Sequence, residues 1–109
     1  MKALSIRQPY AEAIMRGVKK IEYRSRPTKI RERIYIYAAL GRMSPEDEAR
    51  WMKKCRIKDV DCDDLPSGVL IGTVEVFDCT EGDGEYEWHV RRPERAKKLL
   101  EPTKHAQPI

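Results

Sequence analysis

Leu4-Ser5-Ile6-Arg7-Gln8-Pro9-Tyr10-Ala11-Glu12-Ala13-Ile14-Met15-Arg16-Gly17-Val18-Lys19-Lys20-Ile21-Glu22-Tyr23-Arg24-Ser25 reads as strand, helix, stop and strand. Ala3 to Ile6 is apolar enough for a short strand. Pro9 suits the first turn of a helix, where its missing N–H would have no partner anyway. Tyr10, Ala13, Ile14 and Gly17 recur at helical spacing on one face, with Glu12 and Arg16 elsewhere. Gly17 then ends the helix by accepting a left-handed conformation. Lys20 to Ser25 alternates, which directs Ile21 and Tyr23 to a core and Lys20, Glu22 and Arg24 to the other side. Polar residues crowd the two turns, where chemistry or recognition reaches solvent.

Outward from this stretch the chain is mostly β. Arg33 to Ala39 predicts a strong strand, with Ile34 and Ile36 on one face, Tyr35 and Tyr37 on the other, and both faces at least half buried. Ser44-Pro45-Glu46-Asp47 predicts a helix start, with an N-cap, Pro at the first position and acids in the first turn; that helix runs to about Cys55. Trp51 pins it to the body. Arg56 to Ser67 is an acid-rich loop that lacks the glycine and terminal glutamate of a calcium EF-hand. Gly68 to Thr80 predicts a second strong strand, and Gly72 inside it marks a bulge or a tight barrel bend. After the turn Glu81-Gly82-Asp83-Gly84, Tyr86 to Val90 predicts another strand. Glu94 to Leu100 has the spacing of a short helix within a basic, proline-punctuated end. The whole suggests one α+β domain over residues 1–109, a small mixed β-barrel with two or three short helices.

With 109 residues the chain has room for one modest core. Its 40% hydrophobic and 37% charged content is that of an ordinary globular chain. No apolar run approaches the roughly 18 residues of a membrane span. Met1 to Ile6 is too short and too soon polar for a signal peptide, so the expected location is cytoplasmic. Cys55, Cys62 and Cys79 are odd in number and form no Cys-x-x-Cys pair, which fits reduced thiols and neither a disulfide framework nor a zinc site. No metal or cofactor is expected.

The net charge of +4 is unevenly placed. Arg16, Lys19, Lys20, Arg24, Arg26, Lys29, Arg31 and Arg33 are opposed only by Glu22 and Glu32, which leaves the remainder slightly acidic. A basic segment on a near-neutral body fits an anionic partner such as a phosphate backbone, or a solvated surface.

Gly17-x-Lys19-x-x-Glu22-x-Arg24, preceded by Leu4-Ser5-Ile6-Arg7-Gln8-Pro9, resembles the opening of ASCH domains, the activating-signal-cointegrator homology modules of the PUA-like superfold. Ser67-Gly68-Val69-Leu70-Ile71-Gly72-Thr73-Val74 and Tyr86-Glu87-Trp88-His89 resemble later landmarks of the family. The resemblance implies a twisted β-barrel with a cleft beside the first helix. It also implies RNA binding or, in some branches, enzymatic work on RNA or acylated cytidine. Similar domains carry an aromatic closing strand beyond the segment matching His105 to Ile109. A last strand that is short, missing or supplied by another copy is therefore expected, in a monomer or weak homodimer.

Three functional classes follow. In the preferred one, a basic cleft binds RNA or another nucleic acid through Arg7, Gln8, Lys19, Lys20, Arg24, Arg26 and Lys29, with Tyr10 and Trp88 stacking bases. In the second, a metal-independent hydrolase acts on a modified nucleoside or on RNA. Lys19 polarises the scissile group, and Glu22 or Glu75 activates water. In amidohydrolases of the superfold the resemblance places their catalytic lysine on Lys19, but their threonine position falls on Glu22. Strict strand parity would pair Lys20 with Glu22, whereas a lysine in the turn leans over the same cleft. The third class is a protein-interaction module.

Overall fold

Ile34, Ile36 and Ala38 are fully buried and alternate with half-buried Arg33, Tyr35, Tyr37 and Ala39, as a strand covered on both faces requires. In the computed structural model, which describes residues 1–109, the elements are β1 (Lys2–Arg7), α1 (Tyr10–Met15), β2 (Ile21–Arg24), β3 (Arg33–Ala39), α2 (Pro45–Lys54), β4 (Val69–Glu81), β5 (Tyr86–Leu100), α3 (Pro102–His105) and β6 (Gln107–Pro108). A short 3-10 turn covers Cys62–Asp64. The six strands form one sheet in the order β2-β5-β4-β3-β1-β6. β1 runs parallel to β3 and β6, and the other pairs are antiparallel. The sheet curls into a half-barrel, the α+β fold that the sequence predicts. Leu4, Ile6, Ile14, Ile34, Ile36, Val74, Val76, Trp88 and Val90 fill it.

α1 is short and buried almost all round: Ala11, Glu12, Ala13, Ile14 and Met15 are all covered. Gly17 closes it at φ +75, with its N–H on the Ile14 carbonyl and the Val18 N–H on the Ala13 carbonyl, both at 3.0 Å. This is a Schellman closure, and it also draws the Lys19 N–H to the Ala13 carbonyl at 3.1 Å. The direction in which Lys19 leaves the helix is thereby fixed.

α2 starts as predicted, with Ser44 Oγ accepting the Asp47 N–H at 3.2 Å and Pro45 at its first position. Trp51 meets the Tyr10 ring edge-on at 5.0 Å, which ties α2 to α1. α2 ends by the same closure as α1, except that Arg56 occupies the left-handed position at φ 58. A side chain there costs about 1–2 kcal/mol, while glycine adds about 0.5–1 kcal/mol of unfolded-chain entropy. Arg56→Gly is therefore expected to raise stability by about 0.5–1 kcal/mol in urea unfolding.

Two predictions change. Glu94 to Leu100 is not a helix but the far half of β5, paired with β4 back to Leu70. Leu99 is exposed and Ala96 and Leu100 only half-buried, so a helix here would bury no apolar face. The ladder instead pairs Glu94, Arg95 and Leu100 with Thr73, Gly72 and Leu70. In β2 the parity is reversed: Glu22 is buried and Tyr23 exposed. Glu22 lies opposite Trp88 and Tyr23 opposite Glu87, and directly opposed residues share a face. Trp88 is buried, so Glu22 points inward with it.

The last strand is short and present. Gln107 and Ile109 donate their N–H groups to the Met1 and Ala3 carbonyls, each at 3.0 Å. β6 covers β1 only at Lys2 and Ala3. Ser5 to Arg7 of β1 has no strand on its outer side, and β2 pairs only with β5.

Candidate functional site

The half-barrel stays open between β1 and β2, and a cleft of about 280 Å³ occupies the gap. Ser5, Ile6 and Arg7 form one wall, Glu22, Tyr23 and Arg24 the other, with Tyr10 and Lys19 from the α1 end. Lys19 is the hub. Its Nζ donates to the Ile21 carbonyl and, at 2.9 Å, to Glu22 Oε1. The same ammonium lies 5.4 Å from the centres of both the Tyr10 and Tyr23 rings. Glu22 takes Arg24 on its other oxygen at 3.5 Å, and Arg24 spans the gap to the Ser5 carbonyl at 3.1 Å.

The Lys19 and Glu22 side chains are only 15% and 10% exposed, so this pair is more strongly coupled than a surface ladder would be. Arg7 at the rim is exposed and has no ion-pair partner. Burial pushes the Tyr10 phenol above its ordinary range, with Glu22 adding to the effect and Arg7 opposing it. Tyr10 is thus a neutral hydroxyl donor at working pH. The cleft offers fixed cationic donors, a phenol, one carboxyl acceptor and two aromatic rings, which suits a planar polar ligand with an anionic attachment.

The ASCH domain family matches residues 4–105. The chain belongs to that family. It is 39% identical over 80 residues to Activating signal cointegrator 1 of Homo sapiens, a match covering 70% of this chain and 14% of that protein. The mouse protein of the same name is 40% identical over 80 residues, with the same coverage. The ASCH chain therefore matches only a small part of the length of these relatives. No helix is long and apolar enough to cross a membrane.

Of the site residues expected from sequence, the ASCH fold brings Arg7, Tyr10, Lys19, Glu22 and Arg24 together in the cleft. Gln8 is 3% exposed and turned inward, contrary to the expectation that it would touch a ligand. Its Oε1 accepts the Glu12 N–H and its Nε2 donates to the Pro66 carbonyl, both at 2.9 Å. Gln8 thus substitutes for an N-cap and staples the loop before β4 to α1. Trp88 is likewise a core residue and no stacking surface: it is 6% exposed and its indole N–H donates to the Arg26 carbonyl at 2.9 Å.

Arg26 and Lys29 are exposed on the loop after β2, outside the cleft lining. Lys20 lines a second hollow on the far side of Lys19. Glu75 lies in neither lining and is held by Arg91 at 2.6 Å and Arg92 at 3.5 Å. No group of His, Cys, Asp and Glu has a metal-binding arrangement. Burial raises the Cys55 and Cys62 thiols above their ordinary range, which disfavours the nucleophilic thiolate.

Two features escape the sequence reading. Tyr23 faces the cleft because the β2 parity is reversed. Glu12 is buried and receives Arg16 at 2.6 Å and Arg95 at 2.6 and 3.0 Å. The Glu12–Arg16 spacing of four residues was a visible signal; Arg95, 83 residues away, gave none.

Proposed function

We propose that residues 1–109 act as a single nucleic-acid-binding domain that takes one nucleotide of single-stranded RNA into the β1–β2 cleft. The observation that carries this reading is the gap in the sheet, lined by the Lys19–Glu22–Arg24 network and roofed by Tyr10 and Tyr23. Arg24 and Tyr10 donate to a base edge in this reading. Glu22 keeps acceptor capacity beyond its two ion pairs. Arg7 meets the phosphate, and exposed Arg26 and Lys29 add to the attracting field.

Labelled single-stranded RNA titrated at low and moderate salt tests this. Affinity should fall steeply with salt, and Arg7→Glu should weaken it by about tenfold with an unchanged circular dichroism spectrum. Salt-independent affinity, or an Arg7→Glu variant that binds like wild type, would sink the reading.

The 2.9 Å Lys19–Glu22 contact inside a cleft favours a second reading, metal-independent hydrolysis of RNA or an acylated cytidine. Lys19 would stabilise the developing oxyanion and Glu22 would take the proton from water. The same samples on a denaturing gel, together with an acylated cytidine assay, separate the two. Turnover abolished by Lys19→Ala supports hydrolysis, and intact RNA and nucleoside exclude it.

A further inference from the structure

Beyond Lys19 lies a second hollow, of about 460 Å³, between the end of α1, the start of β2 and the middle of β4 and β5. Lys19 belongs to both linings, so the hollow and the cleft lie on either side of it. Its floor is apolar and its rim is Lys20, Phe77, His89, Arg91 and Arg92, with no carboxylate in the lining.

Two irregularities of the sheet shape this rim. Between the pairs Val76–Val90 and Asp78–His89, β4 carries one extra residue, Phe77. Between Thr73–Glu94 and Glu75–Arg91, β5 carries one extra residue, where Arg92 adopts φ 53. Bulges re-aim side chains out of the ladder and are common beside functional sites. Here they turn an aromatic ring and a basic pair toward one hollow. Phe77 is 39% exposed despite its size. Arg91 lies over its ring at 4.5 Å and His89 stands edge-on at 6.0 Å. Glu75 engages Arg91 most closely, and the Arg92 side chain stays 69% exposed. Lys20 is exposed and has no partner.

We propose that this hollow is a second nucleotide subsite, which holds the phosphodiester and base adjoining the nucleotide in the cleft; the inference rests on the RNA-binding reading of that cleft. Lys20 and Arg92 receive the phosphate as the strand passes Lys19. The open part of the Phe77 ring receives the base, and Arg91 and His89 hold the ring in place. An aromatic platform beside unpaired Lys20 and a largely exposed Arg92 that only loosely engages Glu75, with no carboxylate in the lining, suits a single-stranded backbone.

Fluorescein-labelled hexauridylate, titrated over a range of salt against wild type, Arg7→Glu, Lys20→Gln/Arg92→Gln and Phe77→Ala, tests it. All four substituted residues are exposed, and circular dichroism checks the fold. The Lys20→Gln/Arg92→Gln protein should bind about tenfold more weakly, and its log–log salt slope should flatten by about 1.4, the value for two phosphate contacts on a single strand. Phe77→Ala should lose about tenfold with the slope unchanged, since stacking releases no counterions. If both proteins bind like wild type while Arg7→Glu is weak, the hollow is off the path and the cleft reading stands alone. If wild type does not bind hexauridylate, both readings fall. Displacement of the RNA by a polyglutamate peptide of equal affinity would mark the hollow as a site for acidic protein and overturn the subsite.

Discussion

Gly72→Ala costs about 3 kcal/mol in urea unfolding, and Gly72→Val leaves little folded protein at 25 °C. A Cβ at Gly72 would stand 2.4 Å from the Glu94 carbonyl oxygen, 2.4 Å from Met15 Cε and 3.0 Å from Arg95 Cα. The Met15 side chain can swing away, but the two β5 backbone atoms cannot without opening the β4–β5 ladder. Ile71, just before Gly72, is an extra residue in the register against β3, so the strand is already bent where β5 comes closest. Overpacking typically costs about 1–3 kcal/mol, and a backbone clash lies at or above the upper end. Against a total stability of about 5–15 kcal/mol, the larger valine removes most of the margin. Gly41→Ala is the control, because its Cβ would meet only Arg7 Cδ at an ordinary 3.8 Å. A Gly72→Ala protein that unfolds at the same urea concentration as Gly41→Ala would refute the close approach.

Removing both partners of Glu12 is the second large effect. Arg16→Ala/Arg95→Ala leaves a carboxylate that is 4% exposed with no cation, at an expected cost of about 3–5 kcal/mol. Adding Glu12→Gln should recover part of the loss, since the charge rather than the missing arginines carries the penalty. The pH dependence gives the sign independently. Burial alone would raise the Glu12 carboxyl, but hydrogen bonds from Arg95 and Arg16 outweigh it and hold the group below its ordinary value of 4.5. A depressed carboxylate contributes stability that is present above pH 4.5 and is lost as pH falls through the lower folded value. Without the arginines burial acts alone, the folded value rises, and the double variant should gain stability from this group as pH falls through that raised value. Urea melts between about pH 3 and 7 read both slopes. Parallel curves for wild type and variant would show that Glu12 is not the titrating group.

Elements decided by local rules alone are legible in the sequence. Gly17 as a helix stop, Ser44-Pro45 as a helix start and Gly72 as a bend each depend on a few neighbouring atoms, and each holds. The cleft residues Arg7, Tyr10, Lys19, Glu22 and Arg24 cluster around the turns of one quoted stretch, and the fold brings them together. Distant partners overrode the rest. β2 takes its parity from Trp88, not from its own alternation. Glu94 to Leu100 takes its strand conformation from β4, although its spacing suits a helix. Gln8 looked available because polar residues are usually outside, but the Pro66 carbonyl and the Glu12 N–H satisfy it internally. The Phe77 and Arg92 bulges have no sequence signature beyond Pro93 and became visible only with the register.

The β6 contact constrains the order in which the protein assembles. During synthesis β1 emerges before β6, so its Met1 and Ala3 carbonyls wait for Gln107 and Ile109. β2 waits for Tyr86 to His89 in the same way. Until then the Lys2–Ala3 edge of β1 and the β5-facing edge of β2 are bare, open to pairing with any extended chain nearby. With so many partners far apart in sequence, folding should be slow, in the millisecond-to-second range of sheet-rich topologies. The vulnerable interval is the time before Tyr86 to His89 and Gln107 to Ile109 are made, and the strands most in need of shielding in that interval are the two that flank the cleft.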